Sequence, residues 1–327
     1  MQTVYQYTRQ TESNRIRTRR WACLLAVSYL LQVVFEVAMI QFTQGADGRW
    51  VATTLEKPYT WMSFLLIANA ILGFVGTVGF VRAFLAEKRA GMWNRNSVAA
   101  QVSGADVLYM IASVQIFQTL LLLLYGFFLP YPLFAEGSIL GLLESASLQL
   151  FIMLAGWFWF HRRGRAIGFT APVHLWRMML SVIALFGLIV IALDIAVTVP
   201  IADWLDLSLE SERETGIRQE LLQATQVHWI NGICSVLIVG VVAPIGEEIL
   251  FRGVIQTYFT RRLGVIAAIF ISSFWFALIH MDAAFFAPLF VIGAALGLVR
   301  HLFGTIWAPI LLHSLNNLMS VFVSMYS

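Results

Sequence analysis

The chain has 327 residues, 59% of them hydrophobic and 12% charged, with a mean hydropathy of +0.78. An ordinary soluble domain carries roughly 25% charged residues, so this composition excludes a water-soluble globular protein and reads as a polytopic membrane protein. The net charge of +3 is too small to argue for a nucleic-acid partner, and the basic residues stand in short clusters between apolar runs.

In chain order, an arm carrying Arg9, Arg15, Arg17, Arg19 and Arg20 precedes a first apolar run that begins near Trp21. That run exceeds the ~7 to 15 residues of a signal-peptide core and no A-x-A site closes it, so an uncleaved first helix is expected. Further runs begin near Trp61, Val107, Ser138, Met178, Trp229, Leu263, Ala283 and Leu302. Most reach the length of about 20 predominantly apolar residues that a span requires. The expected fold class is therefore all-α, a polytopic transmembrane bundle of about eight or nine helices. Cys23 and Cys234 both lie in apolar runs and read as buried packing residues, with no metal-ligand spacing of the CxxC kind.

Basic loops alternate with loops poor in Lys and Arg. Arg82, Lys88, Arg89 and Arg95, then Arg162, Arg163 and Arg165, then Arg261 and Arg262, and finally Arg300 share one side with the N-terminal arm; residues 44–60, 129–137 and the acidic stretch 203–220 fall on the other. The positive-inside rule then places the N-terminus in the cytoplasm. The expected location is a cell membrane, a bacterial inner one, crossed several times. Connections 86–106 and 203–227 are each long enough for a short interfacial helix. The second reads as a solvated loop, with a surface element near a substrate entrance as the other reading. The chain divides into a basic arm (1–20), N-terminal helices and loops without an assigned role (21–222), and a C-terminal helical block (223–327).

One apolar run breaks its own rule. The stretch 241–255, VVAPIGEEILFRGVI, holds two glutamates and an arginine. A charge at the centre of a spanning helix costs about 2.5 to 3.5 kcal/mol, so it survives mainly where it faces a bundle interior or a wet cavity. Glu248 and Arg252 are four apart with the acid first, the better order for an intrahelical pair. Glu247 is turned about 100° from Glu248 and stays free for proton chemistry. Pro244 and Gly246 loosen the helix just before them, as a segment lining a cavity allows. Two further runs carry polar groups at helical spacing: Phe276 and His280 in FWFALIH, and His313 and Asn317 in LLHSLNN. Counting from Arg261 and Arg300 at ~1.5 Å per residue puts Glu247, His280 and His313 at a similar depth, roughly 18 to 27 Å from that surface.

APIGEEILFRG resembles the EExxxR motif of the CPBP intramembrane proteases, a family of CAAX prenyl endopeptidases and bacteriocin-processing enzymes formerly labelled Abi. FALIH is similar to that family's FxxxH and HSLNN to its HxxxN, in the family's order across residues 223–326. The resemblance implies a peptidase acting on a membrane-associated or peptide substrate. It implies that Glu247 activates the attacking water with His280 as partner, that His313 and Asn317 hold the oxyanion, and that Glu248 and Arg252 organise the helix. A carboxylate in a low-dielectric site suits a general base, and an imidazole and an amide aimed at one point supply donors for developing negative charge. Two histidines and a carboxylate could also bind zinc and leave one position for water. HExxH, the spacing that would decide for zinc, is absent, and the metal-free glutamate mechanism is the expectation.

Taken singly, these residues have plainer readings. Glu248 with Arg252 is also a structural ion pair, His280 a packing residue, and His313 with Asn317 interhelical glue. Glu36, Glu144 and Asp194, each alone in its run, read as structural or as marking a misplaced run boundary, with a place along a substrate path as the other reading. A rhomboid-type GxSG or presenilin-type GxGD site is missing; the nearest string is QVSG at 101–104, in a loop. Two other functions stay open: a proton-coupled carrier relaying protons through the same groups, although no second copy of the Pro-x-Gly-Glu-Glu break occurs, and a catalytically silent scaffold, although no catalytic position is lost.

Overall fold

A computed structural model describes the backbone of residues 2–89 and 101–326. Helix α1 (Gln2–Ala38) joins the basic arm to the first span, Ser13–Ala38, without a break. Strands β1 (Ile40–Gln44) and β2 (Trp50–Thr54) pair antiparallel and lead into α2 (Thr60–Arg89). Helix α3 (Gly104–Phe127) starts at a capping box: Ser103 Oγ accepts from Asp106 N–H, and Asp106 accepts from Ser103 N–H. Helices α4 (Ile139–Ser145) and α5 (Ser147–Phe160) form a pair bent by 66°. Next come α6 (Leu175–Leu193) and α7 (Val199–Leu205), continuous through a π turn as one span, and α8 (Glu212–Val227).

The C-terminal block opens with a 35-residue span, Trp229–Leu263, built from α9 (Trp229–Leu237), α10 (Ala243–Glu248) and α11 (Thr257–Leu263) with π-helical stretches between them. Then follow α12 (Val265–Leu278), α13 (Phe286–Phe303) and α14 (Trp307–Tyr326). Among the described residues seven helices are long and apolar enough to cross a membrane, or eight if the bent pair is one span. The run expected near Leu263 is the exception. At about 1.5 Å per residue, the 14 residues of α12 fall short of the ~30 Å hydrocarbon core.

The outward surface is apolar, which in a bilayer is the correct sign. Phe64, Ile67, Ile71 and Phe74 line one face of α2 and are all more than half exposed. Polar side chains instead tie helices together inside: Ser28 Oγ donates to Asn69 Oδ1 at 2.9 Å, and Gln115 Nε2 donates to Ser28 Oγ at 3.1 Å, joining α1, α2 and α3. Two sequence readings are corrected. Both cysteines are free, but Cys23 faces outward and Cys234 is only half-buried, because each sits on the face its helix turns away from the core. The 203–227 segment is not a solvated loop. Ser211 caps α8 through Glu214 N–H, and Glu212 and Glu214 complement the helix dipole in its first turn. The helix expected within 86–106 lies mostly outside the described residues.

Candidate active site

Close packing sets the position of the Trp229–Leu263 span. A Cβ on Gly156 of α5 would stand 2.5 Å from Ile249 Cγ2, and a Cβ on Gly246 would stand 2.8 Å from the Gln149 carbonyl oxygen. Only glycine lets α5 approach this closely on both sides of the glutamate pair. The span is wound as a π-helix at Ile238–Val242 and again at Ile249–Gln256, on either side of Pro244–Glu248. Such widened turns are rare and recur at functional sites. Side chains collect carbonyls in and beside them: Asn317 Nδ2 donates to Val239 O at 3.1 Å, Ser272 Oγ to Phe251 O at 3.1 Å, and Thr257 Oγ1 to Arg252 O at 2.9 Å. Irregular backbone at membrane depth is thereby satisfied by protein.

Within this frame the two glutamates have different surroundings. Glu248 is fully buried; its Oε1 accepts from Arg252 Nη1 at 2.9 Å and meets His313 Nδ1 at 2.9 Å. Arg252, also fully buried, donates from Nη2 to the Gly293 carbonyl at 2.9 Å, and its guanidinium lies 4.6 Å over the Phe276 ring. The glutamate helix, α12, α13 and α14 thus meet at one ion pair. Glu247 points elsewhere: its Oε2 is buried without a hydrogen-bond partner among the described residues and lies 3.8 Å from His313 Nε2. That is beyond a hydrogen bond, so each atom can engage a third oxygen.

Phe276 is the platform for both histidines, with ring centroids 4.6 Å from His280 and 5.5 Å from His313. His280 sits in the turn after α12, where Met281 takes a left-handed φ of 51°. Its Nδ1 is 2.6 Å from the Phe276 carbonyl, so this nitrogen carries the proton and Nε2 is left open. Burial, and next the Arg213 charge, hold the His280 imidazole down to about 3, so it stays neutral near pH 7. The turn is pinned to α8: Ser211 Oγ donates to Asp282 Oδ2, and Asp282 Oδ1 accepts from Phe285 N–H.

The structure thus brings Glu247, Glu248, Arg252 and His313 into one linked cluster, with His280 joined to it through Phe276. Asn317 lies one turn beyond His313 and spends one amide proton on Val239. Three other acidic residues stand outside this cluster. Glu36 accepts from Gln32 within its own helix, Glu144 gathers the Tyr125 hydroxyl and the N–H groups of Leu133 and Phe134, and Asp194 opens the π turn between α6 and α7. Sequence reasoning missed Arg213 and the hairpin. Both border a cavity of about 290 Å³ that includes His280, Asp282 and Ala52 in its lining. The hairpin has a signal, since alternating IQFTQ and WVATT flank an Asp-Gly turn.

Glu248 is already shared between Arg252 and His313, and no three His, Cys, Asp or Glu side chains among the described residues stand as a metal-binding group. Among the described residues the candidate groups do not stand as a zinc site in this arrangement.

Residues 229–319 match the family model described as Type II CAAX prenyl endopeptidase Rce1-like. The match spans α9 to the middle of α14 and contains all six candidate residues. No curated protein and no solved structure matches the chain.

Proposed function

We propose that this multi-pass membrane peptidase, whose residues 229–319 form an Rce1-like domain of the type II CAAX prenyl endopeptidases, cuts a membrane-associated peptide or protein with a water activated by Glu247. The observation that carries the reading is the inequality of the two glutamates about one imidazole. Glu248 is engaged by Arg252 and His313 Nδ1, while Glu247 is half-buried, its Oε2 without a hydrogen-bond partner among the described residues and 3.8 Å from His313 Nε2. With its neighbour's charge offset, Glu247 is the carboxylate left to accept a proton from water.

The other groups follow from their open atoms. Neutral His280 offers Nε2 to orient the attacking water. The hydroxide equivalent adds to the scissile carbonyl, and the proton taken by Glu247 passes to the departing amine. Oxyanion charge is met by the second N–H of Asn317 and by His313 Nε2 when that nitrogen carries a proton. Such donors count for more in a site shut off from water, because they are oriented before charge develops. Glu248 and Arg252 are positioning residues: they hold His313 and the widened helix in register.

The hairpin, α8 and the His280 turn lie at the end of the bundle opposite Arg162, Arg261 and Arg300. With the N-terminus in the cytoplasm, the site opens to the outer face. Comparative proteomics of membranes carrying the wild-type chain or Glu247→Gln tests the reading. A peptide terminus present only with the wild type is expected; identical terminal peptides in both membranes would reject it.

A further inference from the structure

The hairpin has one edge that runs into the cavity beside His280. In an antiparallel pair, successive residues alternate between aiming their backbone groups at the partner strand and away from it. The closing bonds fix the phase: Gly45 N–H donates to Arg49 O at 2.8 Å, and Leu55 N–H donates to Met39 O at 2.9 Å. Residues 49, 51, 53 and 55 therefore face β1, while Trp50, Ala52 and Thr54 turn their N–H and C=O groups to the other side.

That outer edge already accepts chain at one point. Trp50 N–H donates to Asp206 O and Ser208 N–H donates to Trp50 O, each at 2.8 Å, forming a single parallel bridge between Trp50 and Leu207. Pairing stops there, because the chain leaves to begin α8. At the other end, Thr54 N–H is held by Glu212 Oε2 at 3.0 Å. Between these points the N–H and C=O of Ala52 have no hydrogen-bond partner among the described residues. Ala52, Thr53 and Thr54 line the same cavity as Ser211, Arg213 and His280.

We infer that the substrate binds as an extended strand added to the Ala52 edge of β2, which presents it to His280. An extended peptide supplies one acceptor and one donor in the register that Ala52 lacks, as in strand addition to other open sheet edges. The same conformation exposes the bond to be cut, since a helical peptide bond has its carbonyl engaged by its own helix. Recognition of this kind reads backbone first, with side chains mattering at alternate positions. The inference rests on the peptidase reading and adds to it a binding lane outside the Rce1-like domain, within the N-terminal half that had no assigned role.

The test starts from a quenched-fluorescent decapeptide that the full-length protein in detergent cleaves, selected from a random decapeptide mixture. A single N-methyl group is then moved along its backbone. On the wild-type enzyme, kcat/KM is expected to fall roughly 3- to 10-fold at the one position whose N–H donates to the Ala52 carbonyl, the size of one lost hydrogen bond, and by much less at its neighbours. Ala52→Pro removes the outward N–H without touching the ladder to β1. It should raise KM several-fold, through the lost bond to a substrate carbonyl, with kcat near the wild-type value. Phe42→Pro, the paired position on the outer edge of β1, should leave KM unchanged. Losses spread evenly along the peptide, or none at any position, overturn the strand lane even if a proline variant fails to fold, because the scan uses the wild type. Equal KM values in two folded proline variants overturn it as well. Either result leaves the Glu247 reading in place, whereas failure of the wild type to cut any peptide removes that reading and the lane together.

Discussion

His313 Nδ1 stands 2.9 Å from Glu248 Oε1, the same oxygen that Arg252 Nη1 holds at 2.9 Å. One carboxylate oxygen therefore couples α14 to the glutamate helix, and Arg252 extends the link to α13 through the Gly293 carbonyl. Because a carboxylate only accepts, the Nδ1 of His313 carries a proton and its Nε2 is presented to Glu247. The second glutamate of the motif thus orients the histidine that faces the first.

Removing one member of a buried ion pair leaves the other charge uncompensated, at a cost of about 3–5 kcal/mol. Arg252→Met should lower the thermal midpoint in detergent steeply. The double variant Glu248→Gln with Arg252→Met should recover much of that loss, since no bare charge remains. Equal instability of the single and double variants would mean that the pair's packing, rather than its charge, governs stability.

Asn317 is expected to show two separable effects. Asn317→Ala frees the Val239 carbonyl, worth about 1 kcal/mol, and removes an oxyanion donor, worth roughly 10²-fold in kcat. Thermal unfolding and steady-state kinetics measure the two independently. A variant with normal kcat and reduced stability would confine Asn317 to holding the helix.

His280 makes a pH prediction for stability. Folded, its imidazole is held to about 3 by burial and then by Arg213; unfolded, it titrates near 6.5. Between those values the unfolded state binds the extra proton, so stability contributed at this site rises with pH from about 3 to 6.5 and is level above. Thermal midpoints of the wild type and His280→Gln across that window should converge as pH falls. Parallel curves would show that His280 keeps an ordinary affinity for protons when folded.

Glu247 and His280 are expected to act on one step. The double variant Glu247→Gln with His280→Ala should lose little more activity than either single variant, because groups that work as a unit are not additive. Multiplying losses in kcat would assign them to different steps.

Much of this site could be read from the chain because ionisable groups in apolar runs are costly and so stand out: Glu247, Glu248, Arg252, His280 and His313 all break hydrophobic stretches. The i,i+4 relation of Glu248 and Arg252 follows from helical geometry alone. The His313 bond to Glu248 spans 65 positions and depends on how α14 packs. The widened turns at Ile238–Val242 and Ile249–Gln256 are likewise set by Asn317, Ser272 and Thr257 reaching across, which local propensity does not record. Arg213 looked like one charge among many in an acidic stretch, and only the fold of α8 against the His280 turn gives it a place. Helix α12 is shorter than its apolar run, which extends from Leu263 to Met281, because Leu263 closes the preceding helix and the chain turns from Ile279.

The most direct measurement is cleavage of a peptide in proteoliposomes by the wild type and by Glu247→Gln, with products identified by mass spectrometry and folding compared by thermal midpoint. The account expects the variant to remain folded and to lose at least about 10²-fold in kcat, the range of a lost general base. A folded Glu247→Gln protein that cuts the same bond at the wild-type rate would contradict it.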